Sequence, residues 1–116
     1  NNHIHDVMLL RNDGGGIYTL GNQEGSVIRG NHIHDNNKGG GPGGIYLDEG
    51  RGFIEITGNA VYKVGTAMNF NNRAQDRIAT CKEHDNFFEI GPENPEFPKA
   101  VAENAGIEAK YRDLVK

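Results

Sequence analysis

Over the first seventy positions the apolar side chains fall on alternate residues in short runs. Positions 45 and 47, and again 54 and 56, are aliphatic, with tyrosine, aspartate or glutamate beside them. A period of two is the signature of an extended strand with two unlike faces, and no helical period of 3.6 fits these segments. Each run is bounded by glycine or asparagine, residues that tolerate the left-handed backbone of a sharp turn. The pattern therefore predicts short strands over "NHIH", "GGIYLD" and "FIEIT", joined by tight corners.

These strands recur. Asn2-His3-Ile4-His5-Asp6 returns as Asn31-His32-Ile33-His34-Asp35 and, in degenerate form, as Asn59-Ala60-Val61-Tyr62-Lys63, at intervals of 29 and 28 residues. Gly-Gly-Ile-Tyr recurs with Ile17 and Ile45 in the same place, and "TAMNFNN" fits as a third copy with Met68 in the isoleucine position, 23 residues further on. The shorter interval arises because the loop "NNKGGGPGG" has no counterpart in the third copy, as insertions behave in stacked repeats. Three strands in each repeat of this length predict an all-β chain, a right-handed parallel β-helix of about three coils. Equivalent residues then lie about 4.8 Å apart in columns. The inward columns are expected to be Ile17/Ile45/Met68, Thr19/Leu47/Phe70, Ile4/Ile33/Val61 and Ile28/Ile56. Asn2, Asn31 and Asn59 are expected to share one corner, each in the left-handed conformation and bonded through its amide to the asparagine above and below.

The pattern ends near residue 73, which divides the chain into coils over 1–72 and a cap over 73–116. The cap is expected to hold one irregular strand near Asn86 to Ile90. The proline-rich "GPENPEFP" follows, then a helix opening at Pro98 and stopping at Gly106, and a second short helix over "IEAKYRDLVK". A stack of coils would otherwise end on an exposed apolar rung and an unpaired strand edge, and covering these is the expected task of the tail.

Composition adds constraints. The chain has 116 residues, 35% of them hydrophobic, with 17 glycines and a net charge of -4. So few apolar residues suit a thin stacked core better than a round one. The acidic balance and the lack of a cationic run argue against nucleic acid, and no apolar run approaches a membrane span. Cys81 is the single cysteine, which excludes an internal disulfide and suggests a buried thiol. The chain opens inside a repeat, without methionine, so it is expected to be the C-terminal piece of a longer solenoid whose N-terminal coils are its neighbours.

The segments "DGGGIYTLGN", "GNHIHDN", "GGIYLDEG", "NNRAQDRIATC" and "AGIEAKYRDL" resemble the C-terminal part of bacterial right-handed parallel β-helix proteins of the pectin-lyase-like superfamily. Among these the chain is most similar to secreted glycoside hydrolases of the α-L-fucosidase and xylanase kind. The resemblance implies a carbohydrate substrate, a secreted or periplasmic location and no cofactor. It also implies a catalytic carboxylate pair on the face carrying "DGGGIY" and "IYLDEG". The scaffold is shared by lyases, hydrolases and non-catalytic surface proteins, so chemistry has to be sought in individual side chains.

Two outward columns lie on that face, Tyr18/Tyr46/Asn69 and Leu20/Asp48/Asn71. Asp48 breaks its column, with leucine below and asparagine above, which singles it out; a plain strand-end carboxylate balanced by Arg51 or Arg73 is the competing explanation. Glycoside hydrolysis takes two carboxylates roughly 5 to 10 Å apart. Asp13 is the expected partner, with Asp35 and Glu49 as substitutes, although a straight chain would hold Asp13 too far away unless Gly14 to Gly16 fold the loop back. Tyr18 and Tyr46 offer ring faces for a sugar, and His34, Asn69 and Arg73 offer polar contacts. The columns His3/His32 and His5/His34 also follow from repetition alone, and their spacing matches no known metal motif, so no metal is expected. A polysaccharide lyase and a non-catalytic glycan-binding scaffold are the alternatives to a hydrolase.

Overall fold

The computed structural model describes residues 1–36, 41–49, 52–71 and 79–115. Its strands are β1 (His3–His5), β2 (Gly15–Thr19), β3 (Val27–Arg29), β4 (His32–His34) and β5 (Gly43–Leu47), then β6 (Glu55–Thr57), β7 (Ala60–Tyr62), β8 (Thr66–Phe70), β9 (Lys82–His84) and β10 (Phe87–Phe88). Every third strand joins the same sheet: β1-β4-β7-β10, β2-β5-β8 and β3-β6-β9, all paired in parallel. The chain is thus mostly strand in parallel sheets, with little helix.

Register agrees with the repeat. Ile17 pairs with Ile45 and Ile45 with Met68, while Ile4, Ile33 and Val61 align and Phe88 extends their row. Ile33, Ile45, Leu47, Ile56 and Val61 are fully buried between the sheets. Fully burying one aliphatic side chain contributes about 1.5–3 kcal/mol, so this narrow set carries much of the folding energy. Cys81 is half-buried and packs against the same cluster.

The corner asparagines bond as expected, and a fourth joins them. The Nδ2 of Asn2 donates to the Oδ1 of Asn31 at 3.0 Å, Asn31 to Asn59 at 2.8 Å, and Asn59 to Asn86 at 2.9 Å. Each acceptor oxygen also takes the backbone N–H of the asparagine one turn earlier, at 2.9 to 3.0 Å. The left-handed residue is not the asparagine, however. Gly30 and Gly58 have φ of +66° and +65°, and Asp85 takes the same corner in the last turn with φ 55°. The preceding residue makes the bend, leaving the asparagine extended enough to reach both neighbours. Glycine is demanded differently at Gly44, where a Cβ would sit 2.2 Å from the carbonyl oxygen of Ala67.

Other expectations need correction. β9 was not foreseen, because Lys-Glu-His shows no apolar alternation. Glu83 occupies the inward register of Ile56, yet it is exposed, and its carboxylate accepts a bond from Asn86. The strand expected from Phe53 begins only at Glu55, since Phe53 has φ 58° and is exposed. In the tail, α1 (Lys99–Asn104) follows Pro98 as its N-cap and ends before Gly106 at φ +85°, but the second helix is a 3₁₀ helix, Ala109–Leu114. The tail packs along the first sheet. Phe97 meets the rings of Tyr62 and His32, and the Gly106 N–H donates to the carbonyl of Asn1.

Asn59 is 0% exposed and serves four hydrogen bonds to the turns on either side and one to Thr57 of its own turn, whereas Asn86 ends the column and is only half-buried. Asn59→Ala should lower unfolding free energy by about 2–4 kcal/mol and Asn86→Ala by about half of that or less. Urea denaturation measures both, and equal losses at the two positions would contradict a column anchored at its middle.

Candidate functional site

The outer face of β2-β5-β8 gathers most of the predicted chemistry. Tyr18, Tyr46 and Asn69 align in register across the three strands. The tyrosine rings meet edge to face with centroids 5.3 Å apart. Tyr18 is 48% exposed and Tyr46 only 6%. Asp48 follows β5, and its backbone N–H bonds to the carbonyl of Thr19 at 2.8 Å, which keeps it in line with the strand below. Among the described residues, donors reach its carboxylate from the Tyr18 hydroxyl on Oδ2, and on Oδ1 from the Asn71 amide at 2.5 Å and the Glu49 N–H at 2.8 Å. A carboxylate with this many donors is matched as an acceptor, its ionised role.

The two tyrosines register these acids. The hydrogen bond to Asp48 is the main reason the Tyr18 phenol is pushed up to about 12, helped by partial desolvation and by the charge of Asp48. Burial raises Tyr46 first, followed by the charges of Asp48 and Asp13 and a hydrogen bond to Asp13. Asp13 and Asp48 thus act on one tyrosine pair, although they come from successive turns.

The other predicted residues lie apart. His34 stands on β4 in the first sheet, with its ring stacked on Tyr62 at 5.3 Å and on His5 at 5.2 Å. Asp35 belongs with it, its Oδ2 lying 2.6 Å from His34 Nδ1. Glu49 contributes its backbone N–H to Asp48. Arg73, expected to contact substrate, and Arg51, the alternative counter-charge for Asp48, lie outside the described residues.

Strand alternation carries His3 and His5 from β1, and His32 and His34 from β4, to the outer face of the first sheet. The rings of His3 and His32 stack at 4.6 Å, and the Nε2 atoms of His3 and His34 lie 2.8 Å apart. His32 is 8% exposed, its Nε2 is 2.8 Å from the Tyr62 hydroxyl, and its buried Nδ1 has no hydrogen-bond partner. Burial, reinforced by the neighbouring imidazoles, lowers His32 to about 4 and also lowers His3. A local rule runs through three turns: in His5-Asp6, His34-Asp35 and His84-Asp85 the aspartate is left-handed (φ 54°, 54° and 55°), and its carboxylate bonds to the Nδ1 of the histidine before it. The dipeptide His-Asp was the signal for this in the sequence. Nothing local announced Phe97 as the cover of His32, because that contact spans 65 residues.

No family model, no curated protein and no solved structure matches this chain. The described helices include none long and apolar enough to cross a membrane.

The lowered His32 sets a direction for stability against pH. Its folded pKa, about 4, lies below the ordinary 6.5, so between those values the unfolded chain binds more protons. In metal-free protein, stability should fall as pH drops from 6.5 towards 4, by an order of 1 kcal/mol after solvent screening, and level off below. The exposed His84 is raised by Asp85 and Glu55 and acts with the opposite sign. Melting temperatures across this range test the balance, and His32→Gln should flatten the slope.

Proposed function

We propose that the three parallel sheets form part of a right-handed parallel β-helix, and that the outer face of β2-β5-β8 binds a glycan whose glycosidic bond is hydrolysed between Asp48 and Asp13. The observation that carries this reading is Asp48 bonded to the exposed Tyr18 hydroxyl in the row of Tyr46 and Asn69, with Asp13 among the charges that raise Tyr46. Asp48, with these donors, supplies the ionised carboxylate that acts as base or nucleophile. Asp13, at the start of the glycine turn, supplies the proton to the leaving oxygen. Carboxyl groups roughly 5–5.5 Å apart at the moment of reaction retain the anomeric configuration, and a gap of roughly 6.5–9.5 Å admits a water and inverts it. The exposed ring of Tyr18 offers a sugar an apolar surface, and Asn69 offers an amide in the same row. Such a protein would work outside the cytoplasm, secreted or periplasmic.

A second reading has its own support. Tyr18, Asn71 and the Glu49 N–H bond to Asp48 as they would to a carboxylate that only closes a strand end. The face is then a glycan-binding surface without turnover.

The readings separate on fucosylated, xylan and pectic glycans, with products analysed by chromatography and ultraviolet absorbance. Hydrolysis yields new reducing ends, and Asp48→Asn should reduce their formation at least about a hundredfold while leaving the circular dichroism spectrum unchanged. Unaltered turnover in that variant would remove Asp48 from the chemistry. An ultraviolet-absorbing unsaturated uronate would assign a lyase, and glycan retention without products would assign the binding surface.

A further inference from the structure

The first sheet carries a second cluster, independent of the carboxylates. We propose that His3, His32 and His34 bind one divalent transition-metal ion of the zinc or cobalt class. One ring nitrogen from each of the three lies within 4.8 Å of the others. A tetrahedral ion with bonds of about 2.0–2.1 Å holds its nitrogens about 3.4 Å apart, so small ring rotations suffice. The ligands come from paired strands: His3 faces His32 across β1 and β4, and His34 lies two residues further along the same face.

The hydrogen bonds to groups outside the cluster leave lone pairs on its rings. Asp35, an acceptor at 2.6 Å, takes the Nδ1–H of His34, which leaves Nε2 of that ring with a free lone pair. That lone pair meets the Nε2 of His3 at 2.8 Å, a distance at which the two nitrogens share one proton. An ion entering there takes the place of this proton, which His3 regains on Nδ1 by exchange through solvent, so the ring stays neutral with its tautomer changed, and the two Nε2 atoms move apart to become ligands. A carboxylate behind a metal-bound imidazole is the usual outer-shell arrangement, fixing tautomer and ring angle. His32 has the same form. Donation of its Nε2–H to the Tyr62 hydroxyl at 2.8 Å leaves a lone pair on Nδ1, the buried atom without a partner.

Repetition alone accounts for stacked imidazoles, but it does not account for that orphaned nitrogen. Leaving a buried polar atom unpaired is unfavourable, and coordination removes the penalty. Imidazole donors suit zinc, copper, cobalt and nickel, and they exclude calcium and magnesium, which take oxygen. The tail frames the site: Phe97 lies against His32, and Gly106 lies against the Cβ of His3. His3 is exposed, so an ion has a path in and a water can take the fourth position.

The test is titration of metal-free full chain with Co²⁺, followed by visible absorption, then displacement with Zn²⁺ and melting with and without Zn²⁺. The expected result is saturation at one ion per chain with the intense bands of four-coordinate cobalt, their loss on adding zinc, and a raised melting temperature. His34→Gln should weaken binding about a hundredfold. Asp35→Asn, which asparagine's tolerance of the left-handed corner should allow to fold, should weaken it about tenfold. His84→Gln, on the third sheet, should leave affinity unchanged. Absence of saturation at one ion overturns the proposal, as does wild-type affinity in both His34→Gln and Asp35→Asn. Should His34→Gln fail to fold by circular dichroism, Asp35→Asn decides alone.

Discussion

The amide column at one corner is the interaction on which the rest of the structure depends. Each inner asparagine there, Asn31 and Asn59, ties neighbouring turns together: its oxygen accepts an N–H from the turn before and its nitrogen donates to the amide of the turn after, so a turn cannot slip along its neighbour without breaking the chain of bonds. In a sheet, a shift by one residue would turn every inward side chain outward. Strands of three to five residues have few ladder bonds with which to resist such a shift. The buried column supplies that resistance, and the isoleucine rows between the sheets follow from it.

The same constraint repeats the surface as faithfully as the core. Tyrosine lies over tyrosine and histidine over histidine because the backbone above is a copy of the backbone below. A column of like residues is therefore weak evidence of function, and a break in a column is stronger. Asp48 is such a break, lying between Leu20 and Asn71, with no like charge stacked directly on it. Asn71 then bonds to it. Tyr62 is another, at the His34 position of the following turn, and its hydroxyl takes up His32 from the side.

Much of the stacking was legible in the sequence because repetition needs no knowledge of distant contacts. Intervals of 28, 29 and 23 residues placed Ile45 over Ile17 and Met68 over Ile45, and the register agrees. The misreadings share a cause. β9 has no apolar residue because its inward position, Glu83, is left open to water, so alternation had nothing to report. The left-handed corner was given to asparagine when glycine, which bears no Cβ, occupies it more cheaply. The path of the tail rests on Phe97 against Tyr62 and His32, a match of shape between remote segments that no local period encodes. Of the site, the Tyr18/Tyr46/Asn69 row followed from alternation. The separation of His34 from that row followed only from knowing which sheet each strand joins.

Ionisable columns pose a physical difficulty that apolar and amide columns do not. Like charges at the spacing of a β-stack repel, and burial raises the penalty. The chain meets this in two ways. On the second sheet it allows a single acid in the column and surrounds it with donors. On the first sheet it stacks imidazoles, which are tolerable only while neutral, and burial with mutual proximity keeps His3 and His32 in that form. A neutral imidazole with one nitrogen donating outward has a lone pair on the other, so the condition that lets histidines stack is the one that equips them to hold a cation. A positive ion among them converts a column that merely avoids repulsion into one held together by its centre.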